Sequence, residues 1–121
     1  MNKTVMIVED EPSFHIIYEA LLEDTGYEII HTYDGEDALS RLESEKPDLI
    51  ILDIILDMMT GDTFFLYLKG MPECADIPVI VVSNCSRYDY KSLKDIDPDL
   101  VYLDKSRLGE RLIPEIKAKI G

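Results

Sequence analysis

The stretch Asp48-Leu49-Ile50-Ile51-Leu52-Asp53 decides how this chain folds. Four apolar residues stand in a row between two aspartates, with nothing polar alternating among them. A strand wetted on one side alternates, whereas a strand covered on both faces does not, so residues 49–52 read as an interior strand of a parallel sheet. Val5-Met6-Ile7-Val8 and Val79-Ile80-Val81-Val82 have the same character and take central places beside it. Glu28-Ile29-Ile30-His31-Thr32 and Leu100-Val101-Tyr102-Leu103 are more mixed and suit the two edges.

Counted from Thr4, Glu28, Leu49, Val79 and Leu100, the five runs begin 21 to 30 residues apart. That distance leaves room for one helix between each pair of strands, the mark of repeated βα units. The intervening segments carry helical spacing. Phe14, Ile17, Tyr18, Leu21 and Leu22 make one stripe, with Pro12 in its first turn and Gly26 placed to stop it. Ala38, Leu39 and Leu42 make a second, and Phe64, Phe65 and Leu68 a third. Tyr88–Lys94 reads as a weak short helix, and a last helix runs from about Arg107 to Ile120 with Leu108, Leu112, Ile116 and Ile120 every fourth residue. Right-handed crossovers then give an α/β fold, a doubly wound (βα)5 parallel five-stranded sheet in the order 2-1-3-4-5, as a single domain over residues 1–121.

The chain has 121 residues, 25 acidic and 12 basic, for a net charge of −13. That balance argues against binding a phosphate backbone or an anionic membrane, since both need clustered Lys and Arg. Two cysteines, Cys74 and Cys85, are too few for a secreted disulfide scaffold and lack the spacing of a zinc site. The apolar run after Met1 is broken by Glu9-Asp10-Glu11, too early for a signal peptide or a membrane span. A cytoplasmic protein with buried free thiols is the expectation.

In a doubly wound sheet the ligand site lies at the carboxyl ends of the strands. Here those ends deliver Glu9-Asp10, Asp53, Ser83 and Asp104-Lys105. Any one acid alone would be an ordinary solvated residue, but three carboxylates brought together resist ionisation unless a cation is present. Clustered carboxylates with an open pocket suit Mg2+, which keeps several waters and accepts phosphate oxygens.

At this point the sequence resembles the receiver domain of two-component response regulators, with its CheY-like, flavodoxin-like fold. The residues that carry the resemblance are Val8-Glu9-Asp10-Glu11-Pro12, Lys46-Pro47-Asp48-Leu49-Ile50-Ile51-Leu52-Asp53, Gly61, Val82-Ser83 and Lys105. The resemblance implies that Asp53 is the phosphoacceptor, receiving a phosphoryl group from a sensor histidine kinase or a phosphotransfer protein. It implies that Asp10 and Asp53 hold Mg2+, with Glu9 assisting and the backbone carbonyl of Ile55 completing the protein ligands. Lys105 would contact the phosphoryl oxygens, Ser83 would close on them, and Tyr102 would follow as the switch aromatic. Tyr102 lies three residues before Lys105 and should point to the opposite face of its strand. The face formed by the fourth crossover helix, the fifth strand and the last helix would then control a downstream protein partner or a phosphorylation-dependent homodimer. No effector domain is expected within these residues, and the chain would be a phosphoacceptor, not an enzyme in its own right.

Some positions depart from the family pattern. Asp57 and Ser106 stand where prolines are usual, and Asn84 stands where a small residue is usual, beside the acceptor pocket. Ile55 and Cys85 are poor at orienting an attacking water, which implies slow autodephosphorylation. His15 and His31, sixteen residues apart, show no ligand spacing and are expected at the surface. Tyr88 and Tyr90 are equally suited to packing and to partner contact, and Met58 and Met59 read as gap-fillers. The rival function is a pseudo-receiver that binds a partner without phosphorylation. A flavin carrier would need a phosphate cradle after the first strand, where this chain has Glu9-Asp10-Glu11. An aspartate-nucleophile phosphatase would want an acid at position 55.

Overall fold

The computed structural model describes residues 2–54, 56, 59–84 and 93–121. Its strands are β1 (Thr4–Val8), β2 (Glu28–Thr32), β3 (Leu49–Asp53), β4 (Val79–Ser83) and β5 (Val101–Asp104). Its helices are α1 (Pro12–Leu22), α2 (Gly35–Leu42), α3 (Gly61–Lys69) and α4 (Leu108–Ile120), with a 3-10 turn at Lys105–Arg107 before the last. The sheet runs β2-β1-β3-β4-β5 and every pairing is parallel. The unalternating runs are therefore the three inner strands, and the two mixed runs are the edges, as the pattern of burial requires.

Alternate residues of each inner strand enter opposite layers. Met6, Val8, Ile50, Leu52, Val79 and Val81 pack with Ala38, Leu42, Phe64, Phe65 and Leu68 from α2 and α3. Val5, Ile7, Leu49, Ile51, Ile80 and Val82 pack with Tyr18 and Leu22 of α1 and Leu108, Leu112 and Ile116 of α4. Each helix thus covers a strip of sheet that would otherwise expose apolar surface on that face. Cys74 is a buried free thiol in the α2–α3 layer, as expected. Met59 packs over Gly35 at the start of α2, the filler role expected of it. Cys85, Tyr88, Tyr90, Met58 and most of the short fourth helix lie outside the described residues, which show a helical turn at 93–96.

Two local features differ from the sequence pattern. The inward stripe of α1 is His15, Tyr18 and Leu22, flanked by half-buried Phe14 and Leu21, while Ile17 is exposed. The helix is rotated so that His15 takes an interior place the apolar count had assigned to Ile17. Before α4, the side chain of Asp104 accepts hydrogen bonds from Ser106 N at 2.9 Å and Ser106 Oγ at 2.7 Å. A proline at 106 could make neither bond, so Ser106 pins by hydrogen bonding the turn that carries Lys105. Those bonds, the backbone one first, hold the Asp104 carboxyl below its usual range.

The loop after β3 closes tightly on the start of α3. Gly61 N donates to Ile54 O at 2.8 Å, and a Cβ at Gly61 would stand 2.5 Å from Asp53 O and from Ile54 Cα. Those neighbours are backbone atoms beside Asp53 and cannot swing away. Gly61→Ala is expected to cost about 1–3 kcal/mol, the range of overpacked sites. Gly109, within α4, has nothing within 4 Å of its missing Cβ, so Gly109→Ala should stabilise by about 0.5–1 kcal/mol. Urea unfolding of both variants checks the pair; a Gly61→Ala as stable as the parent contradicts the close approach.

Candidate functional site

Because all five strands are parallel, their carboxyl ends lie along one edge, and two neighbouring strands bring acid to it. β1 runs into Glu9 and Asp10, β3 ends in Asp53, and Val8 stands opposite Leu52 across the pair. Ligand atoms of Glu9, Asp10 and Asp53 all lie within 4.8 Å of one another, an arrangement that could hold a metal ion. Glu9 and Asp53 are buried and Asp10 is half-buried.

Among the described residues, one ammonium answers this charge. Lys105 Nζ stands 2.7 Å from Glu9 Oε1 and 3.0 Å from Asp53 Oδ2, and its side chain is 8% exposed. The Glu9 contact lacks hydrogen-bond direction and leaves that buried oxygen without a hydrogen-bond partner. Glu9 Oε2 accepts from Glu11 N at 3.1 Å. Burial pushes the Glu9 carboxyl up from its ordinary range to about 7; Lys105 and the Glu11 amide oppose the shift, and the charge of Asp53 adds to it. Burial works against the Lys105 charge as well, but Glu9 and Asp53 outweigh it and raise the lysine above its ordinary value. Phe14, in the first turn of α1, places its ring 3.8 Å from the same ammonium.

The cluster opens into a pocket of about 160 Å³ lined by Asp10, Glu11, Asp53, Ser83, Asn84 and Lys105. The structure therefore brings together Glu9, Asp10, Asp53, Ser83 and Lys105, five of the residues singled out from sequence. Asn84 also reaches this pocket, as its place after Ser83 suggested. Tyr102 sits apart. It is half-buried against the layer of α2 and α3, while the lysine reaches toward α1, so the two occupy opposite faces as expected. Ile55 and Asp57 lie outside the described residues.

The histidines are a correction. Both were expected at the surface, but His15 is buried and His31 half-buried, and they meet. His15 Nε2 is 2.7 Å from Glu9 O, the two Nδ1 atoms are 2.5 Å apart, and His31 Nε2 is 2.6 Å from Glu19 Oε1. Tyr33 tilts against the His15 ring at 4.1 Å between centroids. The carbonyl can only accept, so His15 carries its hydrogen on Nε2 and its Nδ1 accepts from His31. Three contacts need three hydrogens, and two neutral rings supply two. The third lies between His31 Nε2 and Glu19 Oε1. Burial, with the neighbouring His31 adding to it against the Glu9 carbonyl, holds His15 below its ordinary value. Nothing in a spacing of sixteen residues on a helix and a strand predicted this; the signal was that β2 pairs with β1 and sets His31 opposite Ile7.

Comparison with known proteins decides the family. A model described as "Response regulator receiver domain" matches residues 5–93. The chain belongs to the response regulator receiver family. The polar-differentiation response regulator DivK of Brucella anthropi is 34% identical over 122 residues, covering all of this chain and 98% of that protein. The alkaline phosphatase synthesis transcriptional regulatory protein PhoP of Bacillus subtilis is 46% identical over 61 residues, half of this chain and a quarter of that longer protein. Among solved structures, the receiver domain of a signal transduction histidine kinase from Syntrophus aciditrophicus superposes with a TM-score of 0.84 at 29% identity, over 98% of this chain and 89% of that one. This receiver has no helix, among its described residues, long and apolar enough to cross a membrane.

The raised Glu9 carboxyl fixes a pH dependence. Between about 7 and 4.5 the folded receiver holds this proton more tightly than the unfolded chain, so Glu9 adds stability as pH falls through that window and removes it as pH rises. Urea unfolding across the window should therefore give Glu9→Gln a slope against pH more positive than that of the parent. Equal slopes would show that burial leaves Glu9 unperturbed.

Proposed function

We propose that this receiver is a phosphorylation-driven signalling switch in which Asp53 is the phosphoacceptor. The observation that carries the proposal is the Asp53 carboxylate itself, held 3.0 Å from Lys105 in an acidic cluster that opens into the small pocket beside Ser83. A carboxylate oxygen of Asp53 attacks phosphorus, the bond from phosphorus to the donor breaks, and the donor leaves with its electron pair. The donor is a sensor histidine kinase, a phosphotransfer protein or a small acyl phosphate. Such a transfer needs positioning and charge neutralisation more than proton chemistry.

The donor set fits Mg2+. Three clustered carboxylates make a hard-oxygen site, and the open pocket leaves room for waters and a phosphoryl oxygen. Asp10 and Asp53 would hold the ion with Glu9 assisting and the Ile55 carbonyl as a further ligand. When bound, Mg2+ would neutralise charge on the phosphoryl oxygens. Lys105 supplies a second positive charge at Asp53, and its flexible stem lets it follow the group it pairs with. The Ser83 hydroxyl, buried at the end of β4, is the donor placed to meet the new oxygens.

Phosphorylation adds roughly −1.5 to −2 of charge and three acceptor oxygens beside Ser83 and Lys105. A shift of those groups biases β4, β5 and α4, with Tyr102 following, and so alters what a downstream protein or a second copy meets. Slow autodephosphorylation belongs to the same reading and falls on Ile55 and Cys85, which lie outside the described residues. The chain acts as a phosphoacceptor that assists its own modification, in the cytoplasm, and touches neither nucleic acid nor membrane directly.

Incubation with acetyl phosphate and Mg2+ should add one phosphoryl group by intact mass, and Asp53→Asn should abolish it. Absence of an adduct from any donor or kinase would overturn the proposal in favour of a pseudo-receiver that binds its partner unmodified. Protons compete with metal at Glu9, so Mg2+ affinity should fall as pH drops below about 7. Isothermal titration at several pH values checks this, and a flat profile from pH 8 to about 5.5 contradicts a role for Glu9 in holding the ion.

A further inference from the structure

The ring of Phe14 over the Lys105 ammonium is a contact that the strand-end acids do not explain. We infer that Phe14 is a positioning residue, its ring face fixing the Lys105 ammonium where phosphoryl oxygens arrive at Asp53. The inference rests on the proposed role of Asp53 as phosphoacceptor.

The contact is well within the range at which a cation feels the negative face of a ring, at 3.8 Å from the centroid. The lysine side chain is 8% exposed, and desolvation is the condition under which this attraction is strongest. Phe14 stands in the first turn of α1, which opens at Pro12 directly after Glu9, Asp10 and Glu11. The ring and the acidic pair therefore belong to one short connection and hold a fixed relation to each other.

The chemistry gives the ring a task that the carboxylates cannot perform. Glu9 and Asp53 hold the ammonium in this state, but they are also the groups that a cation and a phosphoryl group would engage. A benzene ring neither ligates Mg2+ nor repels phosphate. Its pull on the ammonium persists whatever the carboxylates do, and it limits the conformers open to a long, flexible side chain. Phe14 is also a half-buried member of the layer of Val5, Ile7 and Tyr18, a place that a leucine would fill as pure packing. The quadrupole of the ring separates the two roles.

The experiment uses the full chain with acetyl phosphate and Mg2+, comparing the parent, Phe14→Leu, Phe14→Trp and a series with mono-, di- and pentafluorinated phenylalanine at 14. The fluorinated side chains keep the packing and progressively drain the ring face, so they remain informative if Phe14→Leu folds poorly. The saturating labelling rate should fall roughly twofold to thirtyfold in Phe14→Leu, decline steadily along the fluorinated series and be retained in Phe14→Trp. The donor concentration for half-maximal rate should stay put. Without donor or metal, the Lys105 ε-methylene protons should resonate upfield in the parent and return toward ordinary positions in Phe14→Leu. A parent that labels while Phe14→Leu and the pentafluorinated chain label as fast overturns the inference alone. So does an equal loss in Phe14→Leu and Phe14→Trp with no trend along the series. A parent that no donor labels, its upfield lysine signals intact, overturns the phosphoacceptor role of Asp53 and the inference with it.

Discussion

The Lys105 ammonium makes it possible to bury two carboxylates at one end of this sheet. Parallel strands leave no choice about where Glu9 and Asp53 go: β1 and β3 are neighbours, and both end at the same edge. Isolated buried carboxylates would shed their charge by taking up protons. Lys105, 2.7 Å from one and 3.0 Å from the other, offsets that tendency, and the raised Glu9 carboxyl shows that it does so incompletely. The tight return of Gly61 onto Asp53 O, the hydrogen-bonded turn of Asp104 and Ser106, and the ring of Phe14 each fix one party to this arrangement.

The architecture was legible because burial on two faces leaves a plain mark. Leu49–Leu52 and its two companions are apolar without alternation, the edge strands are more mixed, and the order of the sheet follows from short right-handed crossovers. Asp53, Ser83 and Lys105 were legible for a related reason, since a residue at the end of an interior strand has its position set by the strand. Side chains beyond the strands were harder. Phe14 looked like one more member of an apolar stripe, and only the rotation of α1 shows that its ring faces an ammonium while Ile17 faces water.

His15 and His31 illustrate the remaining difficulty. Each alone resembles a surface residue, and their meeting depends on two quantities absent from local pattern, the register of β2 on β1 and the azimuth of α1. Once both are known, the hydrogen count follows, and a polar path runs from the Glu9 carbonyl through two imidazoles to exposed Glu19. It ties α1 to β2 through hydrogen bonds. Ser106 is a smaller instance: it stands where a proline is usual, and two hydrogen bonds to Asp104 constrain the turn by another route.

The net charge of −13 acquires a meaning at this edge that it lacks elsewhere on the molecule. Among the described residues, three ionised carboxylates against one ammonium leave two negative charges in a partly buried pocket. In the proposed function a divalent cation cancels that remainder and a monovalent one does not, and only a cancelled pocket can receive a phosphoryl dianion without strong repulsion. Protonation of Glu9 removes one of the two charges and weakens the match. The same carboxylate that burial drives toward neutrality is thus the one whose ionisation completes the charge a divalent ion requires, which makes the strength of the Lys105 contact, and of the ring that holds it, decisive for the whole site.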